Sequence, residues 1–79
     1  METVDKYIIL IWQVNKHGDF PAGNNFQEAK ARAREIVAEE HVETAIYLNN
    51  GGKPGERLTK FYYWSGDNNR VQSYGDLNH

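Results

Sequence analysis

The run Lys6-Tyr-Ile-Ile-Leu-Ile-Trp-Gln-Val-Asn15 is dense in β-branched and aromatic residues and closes on the turn formers Asn15-Lys-His-Gly18. It reads as a strand. On a two-residue period Ile8, Leu10, Trp12 and Val14 share one face, and Tyr7, Ile9, Ile11 and Gln13 share the other. Both faces are apolar over most of the length, the pattern of a strand inside a sheet rather than at its edge.

The segments on either side follow from this strand. Asp19-Phe-Pro-Ala-Gly-Asn24 is expected as loop, extended at most at Asp19 and Phe20, because Pro21 and Gly23 interrupt a ladder. Asn25 with Glu28 three residues on has capping-box spacing, so a helix is expected from Phe26 to Glu40. Phe26, Ala29, Ala33, Ile36 and Val37 fall on one helical face, while Glu28, Arg32, Glu35 and Glu39 form the opposite stripe. That helix lies on a sheet, with the small Ala29 and Ala33 permitting close approach. Glu28 and Arg32 have the spacing of an i,i+4 ion pair.

Glu43 to Leu48 alternates as a second strand, Asn49-Asn-Gly-Gly-Lys-Pro-Gly55 is a turn composition, and Arg57 to Trp64 reads as a third strand. The expectation is a hairpin with a long mobile tip. Ser65-Gly-Asp-Asn-Asn69 makes another turn before a weaker strand from Arg70 to Tyr74, and Gly75 to His79 reads as a tail. The order β-α-β-β with an added β is an α+β fold, with one amphipathic helix on one face of a three- to four-stranded, mainly antiparallel sheet. Residues 1–79 form a single domain in this reading.

Composition narrows the function. With 79 residues, nine Lys and Arg, eleven Asp and Glu, and no cysteine, the chain has no disulfide framework, thiolate metal site or thiol nucleophile. A domain of this size buries only about 60% of its unfolded surface, which leaves little room for an enclosed substrate cavity. A net charge of −2 supplies no bulk attraction to nucleic acid or anionic lipid. The longest apolar run, Tyr7 to Trp12, falls well short of the roughly 20 residues that span a bilayer. A cytoplasmic protein without a membrane segment is the expectation.

Site chemistry offers little more. His17, His41 and His79 are scattered, and only His17 with Asp19 has a ligand-like spacing. Glu39-Glu40-His41 is explained by a helix C-terminus, where a protonated histidine is favoured. Ser65 and Ser73 lie outside any nucleophile-elbow pattern, and Gly51-Gly-Lys-Pro-Gly55 lacks the strand, helix and Ser/Thr of a phosphate loop. No catalytic residue, cofactor or metal is assigned.

The sheet is different. One helix covers one side, so the other must show aromatics: Tyr7, Ile9 and Ile11 if Ile8, Leu10, Trp12 and Val14 face the helix, joined by Phe61 and Tyr63 or by Tyr62 and Trp64 according to register. Trp12 and Phe26 are expected in the core. Partner-binding candidates are Tyr47, Phe61, Tyr62, Tyr63 and Trp64, with Arg57, Lys60 and Arg70 around them. The alternation of Arg57, Lys60, Tyr62, Trp64, Arg70 and Tyr74 is also the composition of a single-stranded nucleic-acid surface. A homodimer closing face on face is a third possibility.

The layout, a strand from Tyr7 to Val14, the helix of Glu28-Ala-Lys-Ala-Arg-Ala-Arg-Glu-Ile36, a strand from Thr44 to Leu48 and an aromatic hairpin closed by Gly66-Asp67, resembles small single-helix proteins encoded by phages and prophages, among them certain anti-CRISPR inhibitors. The resemblance is one of element order, size and the Glu-Ala-x-Ala-x-Ala run of the helix, over about residues 6 to 75. It implies a protein without an enzymatic site that covers a surface of a host nucleoprotein complex, in the cytoplasm of a bacterial cell. No functional residue is carried across, and at −2 the chain differs from the strongly acidic members. The expected function is therefore a small non-catalytic protein-binding module of the phage-inhibitor type.

Overall fold

A computed structural model describes residues 5–13 and 17–75. Six strands and one helix follow in the order β1 (Tyr7–Trp12), β2 (His17–Pro21), α1 (Phe26–Glu40), β3 (Glu43–Asn50), β4 (Lys53–Arg57), β5 (Phe61–Ser65) and β6 (Arg70–Tyr74). The sheet runs β2-β1-β3-β5-β6, with β4 also paired to β3, and every pairing is antiparallel. The α+β class with one helix on one face is as expected from sequence, and β1 is interior. Val14 and the tail after Gly75 lie outside the described residues.

Two strands were expected as loop or turn. β2 pairs with β1 from Trp12↔His17 to Ile8↔Pro21. Pro21 is tolerated because it closes an edge strand, and the next donor, Ala22 N–H, reaches Tyr7 O at 2.9 Å. β4 arises because Gly51 and Gly52 both take positive φ, 64° and 92°, which makes a two-residue turn matched to sheet twist in place of a long mobile tip. Asn49 Oδ1 accepts from Gly52 N–H at 2.7 Å and locks that turn.

The expected third strand from Arg57 to Trp64 is consequently two strands, both on the same side of β3. The break is at Leu58 to Lys60, where Leu58 N–H donates to Ile46 O at 2.8 Å and Ile46 N–H donates to Thr59 Oγ1 at 3.1 Å. A hydroxyl replaces the missing ladder carbonyl, so the centre of the sheet keeps its hydrogen bonds through the break.

The helix starts as expected: Asn25 Oδ1 accepts from Glu28 N–H at 3.0 Å. It ends on His41, whose φ of 55° is left-handed and whose N–H donates to Val37 O at 2.8 Å. Arg32 pairs with Glu35 one turn ahead, where the sequence spacing had matched it with Glu28. Ala29 and Ala33 bring the helix so close that Thr44 Oγ1 donates to Ala33 O at 3.1 Å. Between helix and sheet lies the core of Tyr7, Ile9, Ala29, Ala33, Ile36, Val37, Ile46 and Tyr62, flanked by Phe26, Phe20 and Leu48.

This core settles the facing of β1. Tyr7, Ile9 and Ile11 point to the helix, and Ile8, Leu10 and Trp12 point away. The register explains it: Ile9 lies between Ile46 and Phe20, so the branched and aromatic residues of three neighbouring strands meet on the helix side. Trp12, expected in the core, is on the opposite face. Phe26 does join the core, with its ring 5.4 Å from that of Tyr7.

Candidate functional site

The face turned away from the helix carries the only extended ring cluster of the sheet among the described residues. Strand alternation puts Leu10 and Trp12 of β1, Ala45 and Tyr47 of β3, Arg57 of β4, Phe61 and Tyr63 of β5, and Gln72 and Tyr74 of β6 on this side. The rings touch in sequence across four strands. Trp12 is 6.4 Å from Tyr47 and 5.3 Å from Phe61, Phe61 is 5.4 Å from Tyr74, and Tyr74 is 5.5 Å from Tyr63. Such offset and edge-to-face contacts add about 0.5–1.5 kcal/mol each beyond the area they bury.

Two of the small or aliphatic residues on this face are buried. Ala45 is 0% exposed and Ile8 3%, although both point away from the helix. The rings act as a second, thin layer over the sheet. Their outer edges remain in water: Trp12, Tyr47, Phe61 and Tyr63 are half-buried, and Tyr74 is 47% exposed.

Polar groups fix the ring orientations. Tyr63 Oη donates to Gln72 Oε1 at 2.9 Å, and Tyr74 Oη donates to Glu43 Oε1 at 2.6 Å. The bond to Glu43, with burial and the carboxylate charge behind it, raises the Tyr74 pKa above the ordinary tyrosine value. Burial raises that of Tyr47, against the opposing effect of Arg57. The Arg57 guanidinium lies over the Phe61 ring, 4.2 Å from its centroid, which places a cation on the aromatic layer.

The sequence candidates divide between the two sides of the sheet. Tyr47, Arg57, Phe61 and Tyr63 come together on the open face. Arg70, opposite Ser65, stands at its corner, and Lys60 is exposed in the β4–β5 connection. Tyr62 and Trp64 do not belong to it: Tyr62 is 7% exposed in the core, with its pKa raised by burial, and Trp64 packs beside the core on the helix side. The alternation of bases with aromatics read along β5 and β6 is therefore split across both faces. Trp12, expected in the core, was missed as a site residue, and Tyr74 was placed with the nucleic-acid alternative and not among the partner-binding candidates. The two-residue period pairs Trp12 with Leu10 and Ile8, but which parity faced outward depended on the register.

Two other places hold polar clusters. His41 stacks flat on Trp64, with centroids 4.4 Å apart and planes 5° from parallel. A shallow cleft lined by Asp5, Lys6, Asn24, Leu48, Asn49 and Gly55 is tied by its own amides: Asn24 Oδ1 accepts from Lys6 N–H and Asn49 Nδ2 donates to Asp5 O. Both read as structural joints. Among the described residues no three His, Asp or Glu side chains are grouped to hold a metal ion, and no helix is long and apolar enough to cross a membrane. The His17 side chain and all of His79 lie outside the described residues. No protein family, curated protein or solved structure matches the chain.

Proposed function

We propose that the protein is a non-catalytic binding module whose open sheet face occludes a surface of a larger protein, in the manner of the phage-type inhibitors it resembles. The observation that carries this reading is the continuous ring cluster Tyr47, Trp12, Phe61, Tyr74 and Tyr63 with Arg57 laid on it. Trp, Tyr and Arg are the residue types that dominate binding energy at protein interfaces, and they do so when clustered centrally and held rigid. Here hydrogen bonds to Gln72 and Glu43 hold two of the tyrosines in place before a partner arrives.

A protein partner is favoured over single-stranded nucleic acid by the chemistry of the same face. Glu43 is placed among the rings, and among the described residues the cations set beside them are Arg57 and, at the corner, Arg70. In this reading the protein works in the cytoplasm of a bacterial cell and uses no cofactor. The test is capture on immobilised protein from bacterial lysates, treated and untreated with nuclease. A discrete protein retained after nuclease treatment is expected. Retention of nucleic acid alone, weakened steeply by salt, would move the function to nucleic-acid binding.

A further inference from the structure

We infer that the edge of β6 is a self-pairing site, at which a second copy of this chain adds its own β6 antiparallel about a two-fold axis through Gln72. The sheet has three strands with an unpaired side among the described residues, and they are not alike. β2 carries Gly18, Asp19 and Pro21, and β4 carries Pro54 and Gly55. Proline, glycine and inward or flanking charge are the devices by which exposed edges are kept from pairing. β6, Arg70-Val-Gln-Ser-Tyr74, contains no proline or glycine, carries its one charge at its first residue, Arg70, and pairs with β5 over five residues in unbroken register from Ser65↔Arg70 to Phe61↔Tyr74. It is a regular edge.

The side chains are self-complementary about Gln72. Antiparallel pairing of two copies centred there sets Gln72 against Gln72, Val71 against Ser73 and Arg70 against Tyr74, each of the last two pairs occurring twice. Val71 and Ser73 stand on the helix side of the sheet, opposite Trp64 and Tyr62, and Arg70 and Tyr74 stand on the open side. Arg70 and Tyr74 are both exposed, so each guanidinium of one copy can settle on the phenol ring of the other. No like charges meet across the axis. A shift of register by one residue would put Arg70 of one copy opposite Ser73 of the other and turn it to the wrong face, so the two-fold arrangement is also the favoured one. The pairing joins the two open faces into a single aromatic surface. It stands on β6 alone and does not depend on the binding function proposed above.

Because the chain has no cysteine, a single Gln72→Cys substitution reports the geometry directly. Mild oxidation is expected to give a covalent dimer much faster than it does for Ala31→Cys on the outer side of the helix, and Arg70→Glu added to Gln72→Cys is expected to slow it. Sedimentation of the unmodified protein from micromolar to millimolar concentration is expected to show a reversible dimer, with β6 amides gaining hydrogen-exchange protection as it forms. Equal crosslinking rates at positions 72 and 31, a monomeric mass at every concentration, or a dimer that leaves β6 exchange unchanged would overturn the inference.

Discussion

Trp12 and Phe61 meet edge to face, 5.3 Å between centroids and 72° between planes, although β3 runs between the strands that carry them. They can do so because the β3 residue beneath the cluster is Ala45, which is fully buried. The open face is thus a packed layer and not a set of separate exposed rings.

Replacing Ala45 by leucine should lift the rings and cost about 1–3 kcal/mol, as overpacking does elsewhere. Urea unfolding measures it. A neutral Ala45→Leu would show that the rings do not rest on β3 as the structure places them.

Thr59 supplies the hydroxyl that accepts from Ile46 N–H where β4 gives way to β5. Thr59→Val keeps the shape and leaves that buried donor unpaired, an expected loss of about 1–3 kcal/mol. Thr59→Ser should restore most of it. Equal stabilities for the valine and serine variants would contradict the role of the hydroxyl.

Much of this frame was legible in the sequence, and the exceptions have physical causes. The helix was readable because its cap, its small-residue stripe and its apolar period all agree. β4 was hidden because Gly51-Gly52 is compatible with either a mobile tip or a tight turn, and only cross-strand pairing selects the turn. The facing of β1 was hidden because its two sides are almost equally apolar, so parity was settled by Ile46 and Phe20 on neighbouring strands. Tyr62 and Trp64 were assigned to the site together with Phe61 and Tyr63 because residues adjacent in a strand look alike in sequence and point to opposite sides.

His41 ends the helix in a left-handed conformation that glycine adopts freely, yet its imidazole stacks on Trp64. His41→Gly relieves the backbone by about 1 kcal/mol and forfeits a stack of about the same size, so little net change is expected. His41→Ala keeps the backbone cost and loses the stack, and should be destabilising by about 1 kcal/mol. Thermal melts of the two variants, followed by circular dichroism, decide the order. A His41→Ala variant as stable as the unmodified chain would show that the stack contributes nothing.

Tyr74, Tyr62 and Tyr47 have pKa values raised above the ordinary 10.0, the first chiefly by its bond to Glu43 and the others by burial. A raised value means that the fold favours the neutral phenol. The linked stability is fully present below the unfolded-state pKa and is lost as pH rises through the higher folded values. Alkaline titration of tyrosine absorbance should show groups ionising later than free tyrosine, with the urea midpoint falling over the same range. In Glu43→Gln the Tyr74 component should move back towards the ordinary value. An unchanged Tyr74 component in that variant would show that Glu43 does not hold the phenol.

The binding role of the open face is tested most directly by capture from bacterial lysates with three immobilised proteins: the unmodified chain, the double variant Arg57→Glu with Tyr74→Ala, and Arg32→Ala on the outer side of the helix. Circular dichroism first establishes that all three are folded. The expected result is a discrete protein retained equally by the unmodified chain and Arg32→Ala and lost from the double variant. Retention of the same protein by the double variant, or loss of it from Arg32→Ala alone, would contradict the assignment of binding to the aromatic face.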